Sequence, residues 1–393
     1  MSLANDPTTA IRDAAKRIEP SLIEIRRDIH AHPELGFEEV RTAGVVAREL
    51  ARLGVSHATG VGRTGVVGVI EGGRPGPVLA IRADMDALPI EEATSLPYKS
   101  TVPGKMHACG HDGHTAMLLG AAKYLADARN FVGTAVLIFQ PAEEGGAGAR
   151  AMLRDGLFDR FGIQEVFGMH NYPSMPIGQF AIRSGPIMAS IDSIAIKLEG
   201  KGSHAAWPHL GVDPVLVGAQ IVNALQSIVA RNVDPLEAAV ISICVFQAGQ
   251  ADNVIPQNAT LRGTVRTLSP AVRELVKKRV YDVVEGTAKL HGAKADLSYS
   301  PGYPVLVNNE SRAAFAASVA AEIAGKDKVD RNTPPLMGAE DFAYMLEERP
   351  GAFIYVGNGD SAMLHHPAYD FNDDAIPLGT SYWVRLAETA LAG

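Results

Sequence analysis

An α/β fold is the architecture this sequence predicts: a large domain built on a mostly parallel sheet with helices on both faces, interrupted by an inserted ferredoxin-like (split βαβ) domain. Two observations predict it. Short β-rich apolar runs alternate with helical periodicities through the first half, the pattern of strands that return through crossover helices. From about Ile187 the rhythm changes to strand, helix, strand, strand, helix, strand, an order that closes on itself as a small independent domain. The 393 residues, 47% hydrophobic and 20% charged, hold material for two cores.

Taken in order, an N-terminal helical region is expected to break near Pro20, because proline removes a backbone donor. Strands are expected over 66–71, 78–83, 133–139 and 165–168, each a short apolar run rich in strand formers. Between them, 112–127 reads as helix, since Met117, Leu118, Ala121, Ala122 and Leu125 recur at helical spacing. The insertion reads as strand 193–199, helix 213–231, strands 238–247 and 259–268, helix 270–291 and strand 295–299. A strand over 353–356 and a helix over 377–391 return to the first sheet. The expected domains are therefore 1–186 with 297–393, and 187–296. Internal repeats and low-complexity tracts are absent from the sequence.

A formal net charge of −8 repels phosphate backbones and offers no basic stripe, which disfavours a nucleic-acid partner. No apolar stretch approaches the length of a membrane span, and the first twenty residues read as neither secretory signal nor mitochondrial leader. The two cysteines sit in different settings, Cys109 among histidines and Cys244 in an apolar strand-like run. The expectation is no disulfide and a reducing cytoplasm.

Polar clusters follow the apolar strands, where an open α/β sheet places its ligand crevice. They are Asp84 and Asp86 in RADMDALP, residues 107–114 in HACGHDGH, Glu143 and Glu144 in QPAEEGG, His170 in GMHNYP, and His365 with His366 in MLHHPAYD. HACGHDGH packs three histidines, a cysteine and an aspartate into eight residues, and these are the side chains that bind transition metals. Its competing reading is a helix N-terminus capped by Asp112 with His114 solvated. Glu143 and Glu144 precede two glycines, and adjacent carboxylates invite separate tasks. One can neutralise a metal while the other keeps its lone pair for a proton; an acidic first helical turn is the plainer alternative. Asp84 and Asp86 admit a ligand, an anchor for a ligand histidine, or a structural turn. His170 gains weight from standing after a strand, whereas a lone loop histidine such as His365 is ordinarily solvent-exposed. Gly60, Gly62 and Gly65 spell GxGxxG, but an apolar strand follows, so the dinucleotide fingerprint fails; GxSxG, HExxH and Walker patterns are missing.

Together with RRDIHAHPELGFEE, GKGSHAAWPHLGVDP, ADNVIPQNATLRGTVRTL and MGAEDFAYM, these segments give the chain a resemblance over nearly its whole length. It resembles the bimetallic amidohydrolases that include hippurate hydrolase, N-acyl-amino-acid amidohydrolases and plant auxin-conjugate hydrolases, relatives of aminoacylase and carboxypeptidase metallopeptidases. The resemblance implies Cys109, His111, Glu144, His170 and His365 as ligands of two divalent ions sharing a water, Glu143 as general base, and Asp86 behind the ligands. It implies that His204 reaches the substrate oxygen, often from a partner subunit, and that Asn253 and Arg266 hold the substrate carboxylate. Without it, His204 beside Trp207 reads as structural and Arg266 as a face residue of a strand. The donor set suits zinc, with manganese, nickel or cobalt as alternatives. The implied reaction is hydrolysis of N-acyl amino acids; dipeptidase or carboxypeptidase activity, or metal binding without turnover, are the rivals. A homodimer or higher homo-oligomer through the insertion is expected, since relatives pair there.

Overall fold

The computed structural model describes residues 7–393, and the chain folds as two compact units. The first comprises Met1–Gly185, Val307–Pro334 and Tyr344–Gly393; the second comprises Pro186–Leu306 and Pro335–Ala343. The beginning of the N-terminal region, residues 1–6, lies outside the described residues.

In the first unit, helix α1 (Pro7–Ala31) buries Ile11, Ala15, Leu22 and Ile29 along one stripe. It runs through Pro20 without the expected break. Pro20 and Lys16, whose carbonyl it leaves unpaired, are both exposed, while the buried stripe on both sides keeps the helix docked. Helix α2 (Val40–Arg52) buries Thr42, Val45, Val46 and Leu50. Helix α3 (His111–Ala128), buried over most of its length, carries the predicted 112–127 periodicity.

Eight strands form the sheet of this unit: β1 (Ser56–Val61), β2 (Gly65–Glu71), β3 (Arg74–Asp84), β4 (Val132–Gln140), β5 (Glu165–Tyr172), β6 (Phe180–Ala181), β7 (Val329–Asp330) and β8 (Gly351–Gly357). Their order is β1-β2-β4-β3-β5-β8-β6-β7. The central β4, β3, β5 and β8 are parallel, whereas β1–β2, β2–β4 and β8–β6 pair antiparallel. Near-continuous burial of the central strands follows from helices on both faces. Leu50 of α2 lies over Gly68, and Met152 of the helix Gly148–Arg154 lies over Gly65. Side chains at those two positions of β2 leave opposite faces of the sheet, so the two helices flank it. β5 runs past the expected 165–168 to Tyr172, so His170 lies within the strand rather than after it.

The second unit has a four-stranded antiparallel sheet in the order Ala239–Ala248, Asn258–Thr267, Ser190–Glu199, Lys294–Pro301. Its chain order, strand, helix, strand, strand, helix, strand, is the split βαβ plan. Ser190–Glu199 alternates buried and open positions, and its Ile194, Ile196 and Leu198 pack with Val217, Ile221 and Leu225 of Pro214–Arg231 and Val276, Val280 and Val284 of Pro270–Leu290. Both helices begin with a capping side chain, Asp213 or Ser269, followed by proline. The expected boundary at 296 falls inside Lys294–Pro301, which pairs along its whole length with Ser190–Glu199, so the unit continues to Leu306 and includes Pro335–Ala343. Among the described residues, no helix is long and apolar enough to cross a membrane.

Close helix packing in the first unit gives a stability test. A side-chain carbon at Gly120 would stand 2.6 Å from Thr380 Oγ1 and 2.7 Å from Leu22 Cδ1. Gly120→Val is expected to destabilise the fold by about 1–3 kcal/mol, read as a lower urea midpoint; an unchanged midpoint would contradict this packing.

Candidate metal centre

The site grows from the ends of β3, β4 and β5, the start of α3, and the loop after β8. Gly110 enters α3 with φ 86, a left-handed conformation suited to glycine. A side chain there would collide with Asn171 Nδ2 and Tyr369 Oη, 2.3 and 2.5 Å from an added carbon. That turn separates Cys109 from His111 and lets both approach one point.

Two overlapping donor sets result. Cys109, His111 and His170 offer ligand atoms within 4.8 Å of one another, and so do Cys109, Glu144 and His365. Cys109 Sγ lies 3.4 Å from His170 Nε2, and His365 Nε2 lies 3.1 Å from Glu144 Oε1. Glu143 joins His111 and Glu144 in a third set of the same span. The structure thus gathers all five expected ligands and Glu143 in the first unit. His365 reaches Glu144 although its side chain is 52% exposed. Its backbone has φ 64, and its amide donates to Ala108 O at 2.7 Å, which ties the loop to the Cys109 segment. A non-glycine residue held in that region costs of order 1–3 kcal/mol and persists only where surroundings impose it.

Neighbours fix which nitrogen of each histidine is available. His170 Nδ1 meets Asn171 O at 2.7 Å and therefore carries the proton, leaving a lone pair on Nε2 toward Cys109. His111 Nδ1 faces Asp86 Oδ1 at 3.2 Å, and its buried Nε2 has no hydrogen-bond partner. Asp86 Oδ2 accepts from the Glu144 amide at 2.9 Å, so one carboxylate orients residues from two segments. His114 is different. Its Nδ1 bonds Asp84 Oδ1 at 2.6 Å, and its Nε2 accepts from the Asn171 amide at 3.0 Å. With both nitrogens engaged it is a buried support, neither a ligand nor the solvated residue of the capping alternative. His107 is buried too, and burial pushes its pKa down to about 4.

The electrostatics fit divalent cations. Burial, then the carboxylates of Glu144, Glu143 and Asp84, push the Cys109 thiol well above its ordinary range, so ionising it needs positive charge beside the sulfur. Burial opposes a charged His111, yet Asp84, Asp86 and Glu144 outweigh it and push its pKa up to about 10. Glu144 Oε1 is buried, with His365 Nε2 at 3.1 Å as its near neighbour. These donors match the thiolate, imidazole and carboxylate chemistry of transition-metal sites.

Sequence reasoning missed the supports. Arg82, fully buried in β3, donates to Gln140 Oε1 at 2.8 Å and Asp84 Oδ2 at 2.6 Å. Asn171 Nδ2 donates to Cys109 O, and Tyr369 Oη to Asn171 Oδ1, both at 2.7 Å. Asp112 does not cap α3 with its side chain; it meets His30 Nδ1 at 2.9 Å and Arg26 at 3.4 Å. Arg26 and His30 share the buried stripe of α1, and charges on an apolar stripe were the available signal. In the second unit, His204 is exposed in a two-residue strand against Val254–Ile255 and lies 4.9 Å from the Trp207 ring. His204 Nδ1 accepts from the Ala206 amide, which makes Nε2 the donor of the neutral ring. Asn253 O accepts from the Ala205 amide beside it. Arg266 lies elsewhere, at the far end of Asn258–Thr267, bonded to Met337 O at 2.8 Å.

The model of peptidase family M20/M25/M40 matches residues 80–389. The chain belongs to this family. It is 44% identical over 364 residues to hippurate hydrolase of Campylobacter jejuni, spanning 93% of this chain and 95% of that protein. N-acetylcysteine deacetylase of Bacillus subtilis is 42% identical over 381 residues, 96% of this chain and 99% of the relative. A solved dinuclear metal binding peptidase of the M20 family from Bacillus subtilis has 39% identity and a TM-score of 0.84, covering 96% of this chain and 99% of that one. As a member of the M20 family the chain is a metal-dependent amidohydrolase.

The α1 network predicts a pH dependence. Burial opposes charge on His30, but Asp112, bonded at 2.9 Å, and Glu92, 3.5 Å away, push its pKa up from 6.5 to about 9. A raised folded-state pKa stabilises fully below about pH 6.5 and is lost as pH rises through about 9. The stability gap between the native chain and His30→Gln is expected to shrink by about 2–3 kcal/mol across that window. Urea midpoints compared at several pH values check this; a constant gap would contradict a charged His30.

Proposed function

We propose that this enzyme hydrolyses the amide bond of N-acyl amino acids with two divalent cations held by Cys109, His111, Glu144, His170 and His365, and with Glu143 as the general base. The observation that carries the reading is the pair of donor triads overlapping at Cys109, with Glu143 alongside them. The activities in the names of hippurate hydrolase and N-acetylcysteine deacetylase share this chemistry, an acyl group cut from an amino acid. When bound, such cations polarise the amide carbonyl and bring the acidity of water near neutrality. A cysteine with imidazole and carboxylate donors favours zinc, with manganese as the alternative.

Within that frame Glu143 accepts the proton of the attacking water and passes it to the nitrogen of the departing amino acid as the C–N bond breaks. Asp86 holds the His111 ring and the Glu144 amide in place. His204, with Nε2 as donor, is assigned to the oxygen that becomes negative. Asn253 and Arg266 are assigned to the substrate carboxylate. The strand between them rises about 25 Å from Asn258 to Arg266, so one chain does not close both on a single carboxylate. Two copies of the second unit resolve this, His204 and Asn253 serving the neighbour's substrate. The exposed apolar side chains of Trp207, Leu210, Leu216 and Phe246, and the open edge of Ala239–Ala248, support a homodimer through this unit. Two free cysteines, one of them a ligand, suit a reducing cytoplasm.

Glu143→Gln is expected to lower kcat about a hundredfold to ten-thousandfold at near-normal metal content, measured on benzoylglycine and N-acetyl amino acids beside simple dipeptides. Full activity of that variant would remove the base assignment, and preference for dipeptides would move the substrate class. Sedimentation is expected to show a dimer at least; a fully active monomer would contradict the role given to His204 across subunits.

A further inference from the structure

The turn that carries Glu143 is held in an unfavourable backbone conformation by a residue more than a hundred positions away. Ala142, immediately before Glu143, has φ 50. A left-handed alanine costs roughly 1–2 kcal/mol, so something must impose it. Its amide donates to Glu39 Oε1 at 2.8 Å. Two residues on, the Glu144 amide donates to Asp86 Oδ2 at 2.9 Å. Two carboxylates from separate parts of the fold thus grip alternate amides on either side of Glu143.

Glu39 is an unusual residue to find in this service. It occupies the N-cap of α2 yet makes no side-chain bond to that helix. Glu34 supplies the missing acceptors, with Oε1 2.9 Å from the Arg41 amide and Oε2 2.8 Å from the Thr42 amide. Glu39, fully buried, is thereby free to turn inward, where Oε2 accepts from the Thr64 hydroxyl at 2.6 Å. Both partners are neutral donors, an expensive setting for a carboxylate and one that its desolvation makes less acidic. The turn also needs room on that side. A carbon added to Gly36, in the same HPELGFEE segment, would stand 3.0 Å from Ala142 Cβ.

We propose that Glu39 is a positioning residue for the hydrolysis: through the Ala142 amide it holds the left-handed turn that aims the Glu143 carboxylate. The proposal rests on the reading of Glu143 as base. Glutamine at position 39 can still accept from Ala142 while its amide group donates to Thr64 Oγ1; alanine and methionine cannot accept, and methionine fills the space.

The test uses the full-length, metal-loaded enzyme with benzoylglycine or the best N-acyl amino acid of the panel. Glu39→Ala and Glu39→Met are expected to lose about ten- to hundredfold in kcat, with KM and metal content unchanged and faster hydrogen exchange at the Ala142 amide. Glu39→Gln is expected to stay within about threefold of the native kcat, and adding Ala142→Gly to either disruptive variant to recover part of the loss, because glycine takes a positive φ without penalty. If Glu39→Ala does not fold, the methionine variant carries the comparison. Native kcat in Glu39→Met, equal loss in Glu39→Gln, or loss that tracks departing metal overturns the proposal. In a Glu143→Gln background Glu39→Met is expected to add little. Full activity of Glu143→Gln alone removes the base reading, whereas the Ala142 exchange rate still reports whether Glu39 holds the turn.

Discussion

Concentrated negative charge in a dry interior is the constraint on which the rest of this structure depends. Asp84, Asp86 and Glu143 are almost fully buried, Glu144 lies beside them with little of its side chain exposed, and the Cys109 thiol faces the group. In a low-dielectric setting such carboxylates repel one another, and cationic partners relieve the repulsion. Arg82 answers one of them by pairing with Asp84. The same carboxylates draw His111 toward its protonated form and, with burial, hold Cys109 from its ionised one.

Holding repelling groups together requires supports that do not themselves yield. A continuous buried chain runs from Arg82 through Asp84, His114 and Asn171 to Tyr369. It fixes the Cys109 carbonyl, and Asn171 O sets the His170 tautomer. A second network, Arg26 and His30 with Asp112, docks α1 against the first turn of α3. Two non-glycine residues with left-handed backbone, Ala142 and His365, stand at the loops that carry Glu143 and the proposed ligand His365 itself. Local strain at these points is tolerated because surrounding hydrogen bonds determine the geometry.

The second unit obeys simpler rules. Its four strands and two helices form a core of their own, with capped, proline-started helices packed on one sheet face. Its assigned residues divide into two places, His204 with Asn253 and Arg266 at the other end of a strand, and that division gives the homodimer reading its chemical content.

Periodicity and residue chemistry made much of this protein legible beforehand. Alternation of strand and helix announced the α/β unit, the changed rhythm after Ile187 announced the insertion, and HACGHDGH with the paired glutamates announced a cluster of side chains able to hold metal. The resemblance, rather than spacing, singled out His365 and divided the roles of Glu143 and Glu144. Tertiary contacts alone decided the rest. Pro20 stays inside a helix because the stripe around it is buried, and Lys294–Pro301 belongs to the insertion because it pairs with Ser190–Glu199. His114 becomes a support rather than a ligand because Asp84 and Asn171 occupy both its nitrogens, and Glu39 leaves its own helix for Ala142. A sequence determines which groups are able to bind metal or accept a proton. Which of them have a lone pair to spare depends on hydrogen bonds between residues far apart in the chain, and those exist only once the chain has folded.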